Sequence, residues 1–274
     1  TEAGEYGHAG VGCLHIRPLI NLKDKSEVAK MKSISKEITD LVIKFGGSIS
    51  GEHGDGLVRS YWNKKMFGEK IYKAFKELKY SFDPNKLMNP GKIVDAQEID
   101  ENLRINPEYK TKKIKTGFNF DKELGFASAI EMCNGQAACR KVTSGVMCPS
   151  YMVTRDEELS TRGRANALRG LMSGQLSENS WKDKELFKIL DLCLECKACK
   201  SECPSNVDMA KLKYEYMYQF YKRNKLPIAQ KIIGNINTLS KIGSRTSAIT
   251  NFISKSFIFK KILELFFGID SRRD

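Results

Sequence analysis

Four cysteines fall within one short stretch, Cys193-Leu-Glu-Cys196-Lys-Ala-Cys199-Lys-Ser-Glu-Cys203-Pro204. The spacing C-x2-C-x2-C-x3-C-P lets three thiolates wrap one iron–sulfur cluster, while the fourth cysteine, backed by proline, reaches a second cluster. A structural zinc site prefers two separated CxxC pairs. The run therefore points to a [4Fe-4S] cluster and to single-electron chemistry.

A second, imperfect copy lies upstream. Cys133-Asn-Gly-Gln136-Ala-Ala-Cys139 keeps the outer cysteines but has Gln136 in the middle, and Cys148-Pro149 follows after a longer gap. If the two halves exchange their last ligands, Cys193, Cys196, Cys199 and Cys148 make one complete four-thiolate site. Cys133, Cys139 and Cys203 then make a second with three thiolates. Such a site could hold a three-iron cluster or a four-iron cluster with a non-cysteine ligand. It could also stand empty, with Cys133 and Cys139 acting as small buried hydrophobes.

All three histidines of the chain lie in its first 53 residues, in glycine-rich motifs. Tyr6-Gly-His8-Ala-Gly10-Val-Gly12-Cys-Leu-His15 precedes Ser50-Gly-Glu52-His53-Gly-Asp-Gly56. Two imidazoles and a carboxylate from His8, His15 and Glu52 suit a divalent metal such as Zn or Mn, with positions left open for substrate.

The elements that must carry these residues are legible in part. Val11 to Leu19 is an apolar, β-prone run. Ser26 to Phe45 repeats apolar residues at helical spacing. Gly46 to Gly51 is expected to turn into a short strand, and Gly68 to Lys79 to form a second helix. Ser81-Phe-Asp-Pro84 and Met88-Asn-Pro90-Gly91 are loop signals. Residues 96–120 are polar and lysine-rich, which suggests a linker. Beyond Asp121 helices alternate with cysteine clusters: Glu157–Ser173, Asp183–Leu194 and Met209–Tyr221. Two or three amphipathic helices follow, broken near Pro227, Gly234 and Gly243.

Length and composition set outer bounds. The 274 residues suffice for about two domains, and 41% hydrophobic with 29% charged residues is ordinary globular composition. Clustered cysteines without a signal peptide argue for a reducing compartment, hence a cytoplasmic location. No apolar run reaches the roughly 20 residues needed to span a bilayer. Net charge is +13, and residues 205–274 carry 13 Lys/Arg against 5 Asp/Glu. No nucleic-acid motif or aromatic–basic interleaving accompanies this charge, so nucleic acid is not an expected partner. Ile249 to Phe267, rich in Phe and Ile beside Lys255, Lys260 and Lys261, could lie at the inner membrane face. Packing against a further domain is the preferred reading. The chain opens at Thr1 without methionine and ends just after an apolar segment, which suggests a central fragment.

The His8-to-His15 segment, Gly51-Glu52-His53-Gly54 and Leu87-Met-Asn89-Pro-Gly-Lys resemble the C-terminal cap of FAD-linked 2-hydroxyacid dehydrogenases, over about residues 1–95. Met147-Cys-Pro-Ser-Tyr151, Thr154-Arg-Asp-Glu157 and Ser160-Thr-Arg-Gly-Arg-Ala-Asn-Ala-Leu-Arg169, with both cysteine clusters, resemble the bacterial flavo-iron-sulfur fusions of D-2-hydroxyglutarate dehydrogenase type, to about residue 225. The resemblance implies an α+β fold: a ferredoxin-like cap in 1–95, a linker in 96–120, an all-α ferredoxin-type [4Fe-4S] domain in 121–225, and basic helices in 226–274. It implies that His8, His15 and Glu52 bind the metal, that His53 is the base and that Arg17 contacts substrate. Many relatives carry Asn at that position, so Arg17 marks a subgroup or a different acid. Asn89 is expected near the flavin, with FAD held mainly by a domain preceding Thr1. The implied reaction oxidises a D-2-hydroxy acid of the 2-hydroxyglutarate, lactate or glycolate class to the 2-oxo acid. Electrons would pass from FAD through the clusters to a quinone or an electron-transfer protein. The alternative is a ferredoxin-type electron-transfer subunit or scaffold without substrate chemistry of its own.

Overall fold

The computed structural model describes residues 2–272. The chain divides into two compact units, Thr1–Lys110 and Thr111–Asp274.

The first unit begins with a hairpin. Strands β1 (Ala3–His8) and β2 (Cys13–Pro18) pair antiparallel, with Tyr6 opposite His15 and His8 opposite Cys13. The connecting turn closes at Gly12, whose φ of 62° is left-handed and favours a residue without Cβ. Helix α1 (Lys25–Lys44) starts where the Asp24 carboxylate accepts the N–H groups of Ser26 and Glu27 at 2.7 and 3.3 Å. Helix α2 (Asn63–Phe82) is kinked at Gly68, with φ 75° and ψ 166°. The helix expected from Gly68 thus starts a turn earlier, and the glycine marks its bend. Among the described residues β1 and β2 are the only strands. The strand expected after Gly51 is not formed, since a strand needs a ladder partner for its backbone groups.

Polar side chains hold the loop between α1 and α2. Buried Ser60 accepts the Ile93 N–H (2.9 Å) and donates to the Gly56 carbonyl (2.5 Å). Buried Asn63 donates to Asp55 and to the Ile93 carbonyl, both at 3.0 Å. The Trp62 indole donates to Ser35 Oγ on α1. Such bonds matter here because the apolar core of this unit is small: Val28, Val94 and Ile99 are its buried hydrophobic residues among those described.

The second unit is helical. Helices α3 (Phe126–Glu131), α4 (Pro149–Thr154), α5 (Thr161–Ser173), α6 (Lys184–Asp191), α7 (Ala198–Glu202) and α8 (Met209–Arg223) surround a core that includes Ile130, Leu168, Leu171, Leu190, Leu212 and Tyr216. Helix α5 is capped by Ser160, whose Oγ accepts the Gly163 N–H at 2.9 Å. Residues 111–120 form no helix or strand but are tied down: buried Glu215 accepts the N–H groups of Gly117 and Phe118 at 2.9 and 3.0 Å.

Among the described residues four short helices follow, α9 (Ile228–Gly234), α10 (Ile236–Arg245), α11 (Ser247–Lys255) and α12 (Phe257–Phe267), none with a buried residue. That is one or two more than expected, and the break anticipated near Gly243 falls at Thr246 instead. Gly243 stays helical where a Cβ would come within 3.3 Å of Thr250 on α11, so the glycine serves close helix approach. Among the described residues no helix is long and apolar enough to cross a membrane.

Candidate functional sites

The hairpin register determines the first site. Residues directly opposite across an antiparallel pair share a face, and alternate residues along a strand share it too. Tyr6 and His8 on β1 therefore present to the same face as Cys13, His15 and Arg17 on β2. The loop at Glu52 meets this face. Glu52 Oε1 lies 3.1 Å from His15 Nε2 and 2.8 Å from His53 Nε2, and Oε2 lies 3.6 Å from His8 Nε2. The His8 and His15 rings stand nearly perpendicular with centroids 5.0 Å apart. The donor atoms of His8, His15 and Glu52 all fall within 4.8 Å of one another, close enough for a single ion.

Support comes from residues without an assigned role in the sequence reading. Tyr6 stacks on His15 at 4.4 Å, and the Arg17 guanidinium lies 5.2 Å from the Tyr6 ring centroid. Cys13 Sγ lies 3.8 Å from His15 Nε2, and a Cβ on Gly51 would meet that sulfur at 3.4 Å. The alternation Cys13, His15, Arg17 was the available signal for Cys13. His15 is largely buried, whereas His53 is open to solvent. Asn89, at φ 46°, lines a cavity of about 540 Å³ with Gly56, Phe75, Phe82, Met88 and Val94; it is not among the residues that meet at Glu52.

Four cysteines meet in the second unit. Cys148, Cys193, Cys196 and Cys199 line one cavity, and these are the residues grouped by the exchanged-ligand pattern. Arg164 from α5 is fully buried beside them. It donates to Cys148 Sγ (3.6 Å), the Ile189 carbonyl (2.7 Å) and Ser150 Oγ (3.2 Å). Buried Lys213 donates to the Asp191 and Cys193 carbonyls and pairs with Glu195 at 2.7 Å. Burial pushes the Cys193 thiol up, and that of Cys199 to about 11. Buried thiols of this kind become thiolates when a cation compensates them, which is the condition a cluster's iron meets. Sulfur donors, a cavity and buried cations fit an iron–sulfur group.

Cys133 and Cys139 are buried together elsewhere in the same unit. The Arg162 N–H donates to Cys139 Sγ at 3.3 Å, and the Arg162 side chain holds the Gly135 carbonyl at 3.2 Å. Cys203 caps the end of α7. Its carbonyl accepts the Asn206 N–H, and Asn206 lines a small cavity together with Met132, the residue before Cys133.

Two family models match successive parts of the chain. Residues 1–93 match the C-terminal domain of FAD linked oxidases, and residues 106–207 match a 4Fe-4S dicluster domain, so the chain joins one to the other. The chain is similar to the D-2-hydroxyglutarate dehydrogenases of Haemophilus influenzae (28% identical over 98% of this chain and 29% of that protein) and Pseudomonas putida (30% over 85% of this chain and 26% of that protein). Its first third is similar to the glycolate oxidase subunit GlcD of Bacillus subtilis, 35% identical over 32% of this chain and 19% of that protein. The chain thus spans less than a third of the length of these curated relatives. No solved structure matches it significantly.

Proposed function

We infer that this chain is part of a flavin- and iron–sulfur-dependent dehydrogenase that oxidises a D-2-hydroxy acid of the 2-hydroxyglutarate, lactate or glycolate class to its 2-oxo acid. The observation that carries this reading is the meeting of His8, His15 and Glu52 on the hairpin face that also bears Arg17, with His53 alongside. Two imidazole nitrogens and a carboxylate oxygen are a borderline, open donor set of the kind divalent Zn or Mn accepts. A metal held there would supply Lewis-acid polarisation of the hydroxyl, the flavin would supply the hydride acceptor, and the clusters would carry single electrons onward.

The chain's own residues do the rest. His53, whose Nε2 lies 2.8 Å from Glu52 Oε1, is the base that takes the hydroxyl proton. Arg17 holds a substrate carboxylate through a charge-assisted contact, with Tyr6 supporting its guanidinium. Asn89 lies on the loop assigned to the flavin. Cys148, Cys193, Cys196 and Cys199 hold a [4Fe-4S] cluster.

The electron acceptor is a quinone or an electron-transfer protein, in a cytoplasmic setting. Helix α12 leaves Phe257, Ile258, Leu265 and Phe266 exposed, which supports peripheral contact at the inner membrane face.

In the complete enzyme, His8→Ala should remove the bound divalent metal, read by elemental analysis, together with turnover of D-2-hydroxy acids. His53→Ala should keep the metal but lower kcat by about 10²–10⁴-fold. Full turnover after metal removal would overturn the metal assignment. Reduced clusters without any hydroxyacid oxidation would favour a pure electron-transfer subunit.

A further inference from the structure

The two cysteine loops share a backbone conformation that their sequences only half reveal. In Cys193–Cys199 the residues flanking the middle cysteine both have positive φ, Glu195 at 58° and Lys197 at 59°. In Cys133–Cys139 the residues flanking Gln136 do the same, Gly135 at 80° and Ala137 at 65°. A helical turn follows each second left-handed residue, Ala198–Glu202 in one loop and Ala138–Arg140 in the other. The last cysteine of each loop accepts an N–H from the first turn of a longer helix: Cys199 from Met209 of α8, and Cys139 from Arg162 of α5. Gln136 and Cys196 are both exposed, while Cys139 and Cys199 are buried. Non-glycine residues seldom adopt positive φ, so Glu195, Lys197 and Ala137, with Gly135 at the fourth matching position, mark a built feature of both loops.

Gln136 therefore occupies the ligand corner that Cys196 fills in the complete site. Its amide is a neutral oxygen donor, whereas cluster iron is held by soft thiolates. The exchange of last ligands would bring the third thiolate from Cys203. Cys148-Pro149, which follows the first loop, lines the cavity of the second, and by the same relation Cys203-Pro204 serves the first. The Cys203–Asn206 turn lies beside Met132, next to Cys133, as that relation requires.

We propose that Cys133, Cys139 and Cys203 hold a three-iron cluster whose vacant iron corner faces Gln136, so that the oxidised protein carries one three-iron and one four-iron cluster. This rests on the iron–sulfur part of the functional reading and not on its hydroxyacid chemistry. Cluster type and net charge set reduction potential, so the two stops of the relay differ in kind.

The test is low-temperature EPR with iron and sulfide analysis on the complete gene product, purified anaerobically and oxidised. An oxidised three-iron cluster has a half-integer spin, whereas an oxidised four-iron cluster of this class is diamagnetic. The expected result is a three-iron signal of about one spin and about seven irons per chain. Gln136→Cys should abolish that signal and add about one iron per chain, leaving the four-iron signal of the reduced protein unchanged. Cys139→Ala, which supplies no ligand atom, should remove the three-iron signal and leave the reduced four-iron signal. An EPR-silent oxidised protein overturns the proposal, whether it holds about eight irons or about four. A three-iron signal that persists in Gln136→Cys also overturns it, because the signal then arises from breakdown of the other site. These spectra need neither flavin nor turnover, so their failure is separable from failure of the dehydrogenase reading.

Discussion

Arg164 is the residue on which the cysteine cavity most depends. It has no exposed surface, and three of its nitrogens are committed to Cys148 Sγ, the Ile189 carbonyl and Ser150 Oγ. A buried guanidinium is tolerated because these partners satisfy it, and it offers positive charge to a thiolate. Arg164→Met should destabilise the second unit by on the order of 2–3 kcal/mol, read by urea denaturation of the reconstituted protein. It should also speed loss of the four-iron absorbance in air. Neither effect is expected of Arg155, exposed on the loop after α4. Gln136 could be identified as the odd middle residue from spacing alone. Arg164 could not, because its place in an arginine-rich segment looks the same whether the side chain points to solvent or to sulfur.

At the scale of elements, short contacts decide which substitutions the fold accepts. Helix α5 passes so close to the preceding turn that a Cβ on Gly163 would lie 2.1 Å from the Glu157 carbonyl oxygen. Gly163→Ala must displace either the turn or the helix, and should cost about 1–3 kcal/mol or more by denaturant titration. It would also shift Arg162, whose N–H reaches Cys139. In the first unit, Asp83 ends α2 and accepts the N–H groups of Leu87 and Met88 at 2.8 and 3.0 Å, with the Lys79 ammonium at 2.5 Å. Lys79, helped by those backbone donors, holds the Asp83 carboxyl below its usual 3.8. A carboxyl depressed on folding contributes stability that is present above its unfolded value and is lost as pH falls through the folded one. Asp83→Asn should therefore lower Tm at neutral pH, and the gap from the parent protein should close as pH drops below 3.8. A gap unchanged with pH would mean that the amide breaks the turn geometry rather than the charge pairing. The helical period was read correctly for α1, because an apolar stripe over many residues is a strong signal. The tail helices were undercounted because a break needs no glycine or proline when the neighbouring contacts favour one.

The whole molecule pairs units of unequal self-sufficiency. The second unit has a continuous buried core, whereas the described part of the first buries three hydrophobic side chains and leaves Phe45, Phe82, Leu14, Leu19 and Leu87 exposed. Apolar burial is the main favourable term in folding, and so small a core offsets little chain entropy. Residues 1–110 expressed alone should bind a hydrophobic dye and melt without a sharp transition. Residues 111–225, reconstituted with iron and sulfide, should melt cooperatively; a sharp dye-free transition for residues 1–110 would contradict this. The sequence by itself determined the donor types: cysteine spacing predicts sulfur-bound iron, and glycine-flanked histidines beside a Gly-Glu-His motif predict an open donor set, because ligand type and local backbone freedom are properties of short segments. Only the tertiary structure decided the partnerships. Cys148 joins Cys193, Cys196 and Cys199 across many residues, and a two-stranded register brings His8, His15 and Arg17 to one face for Glu52 to meet. Such pairings depend on packing and on strand alignment, which no local pattern encodes.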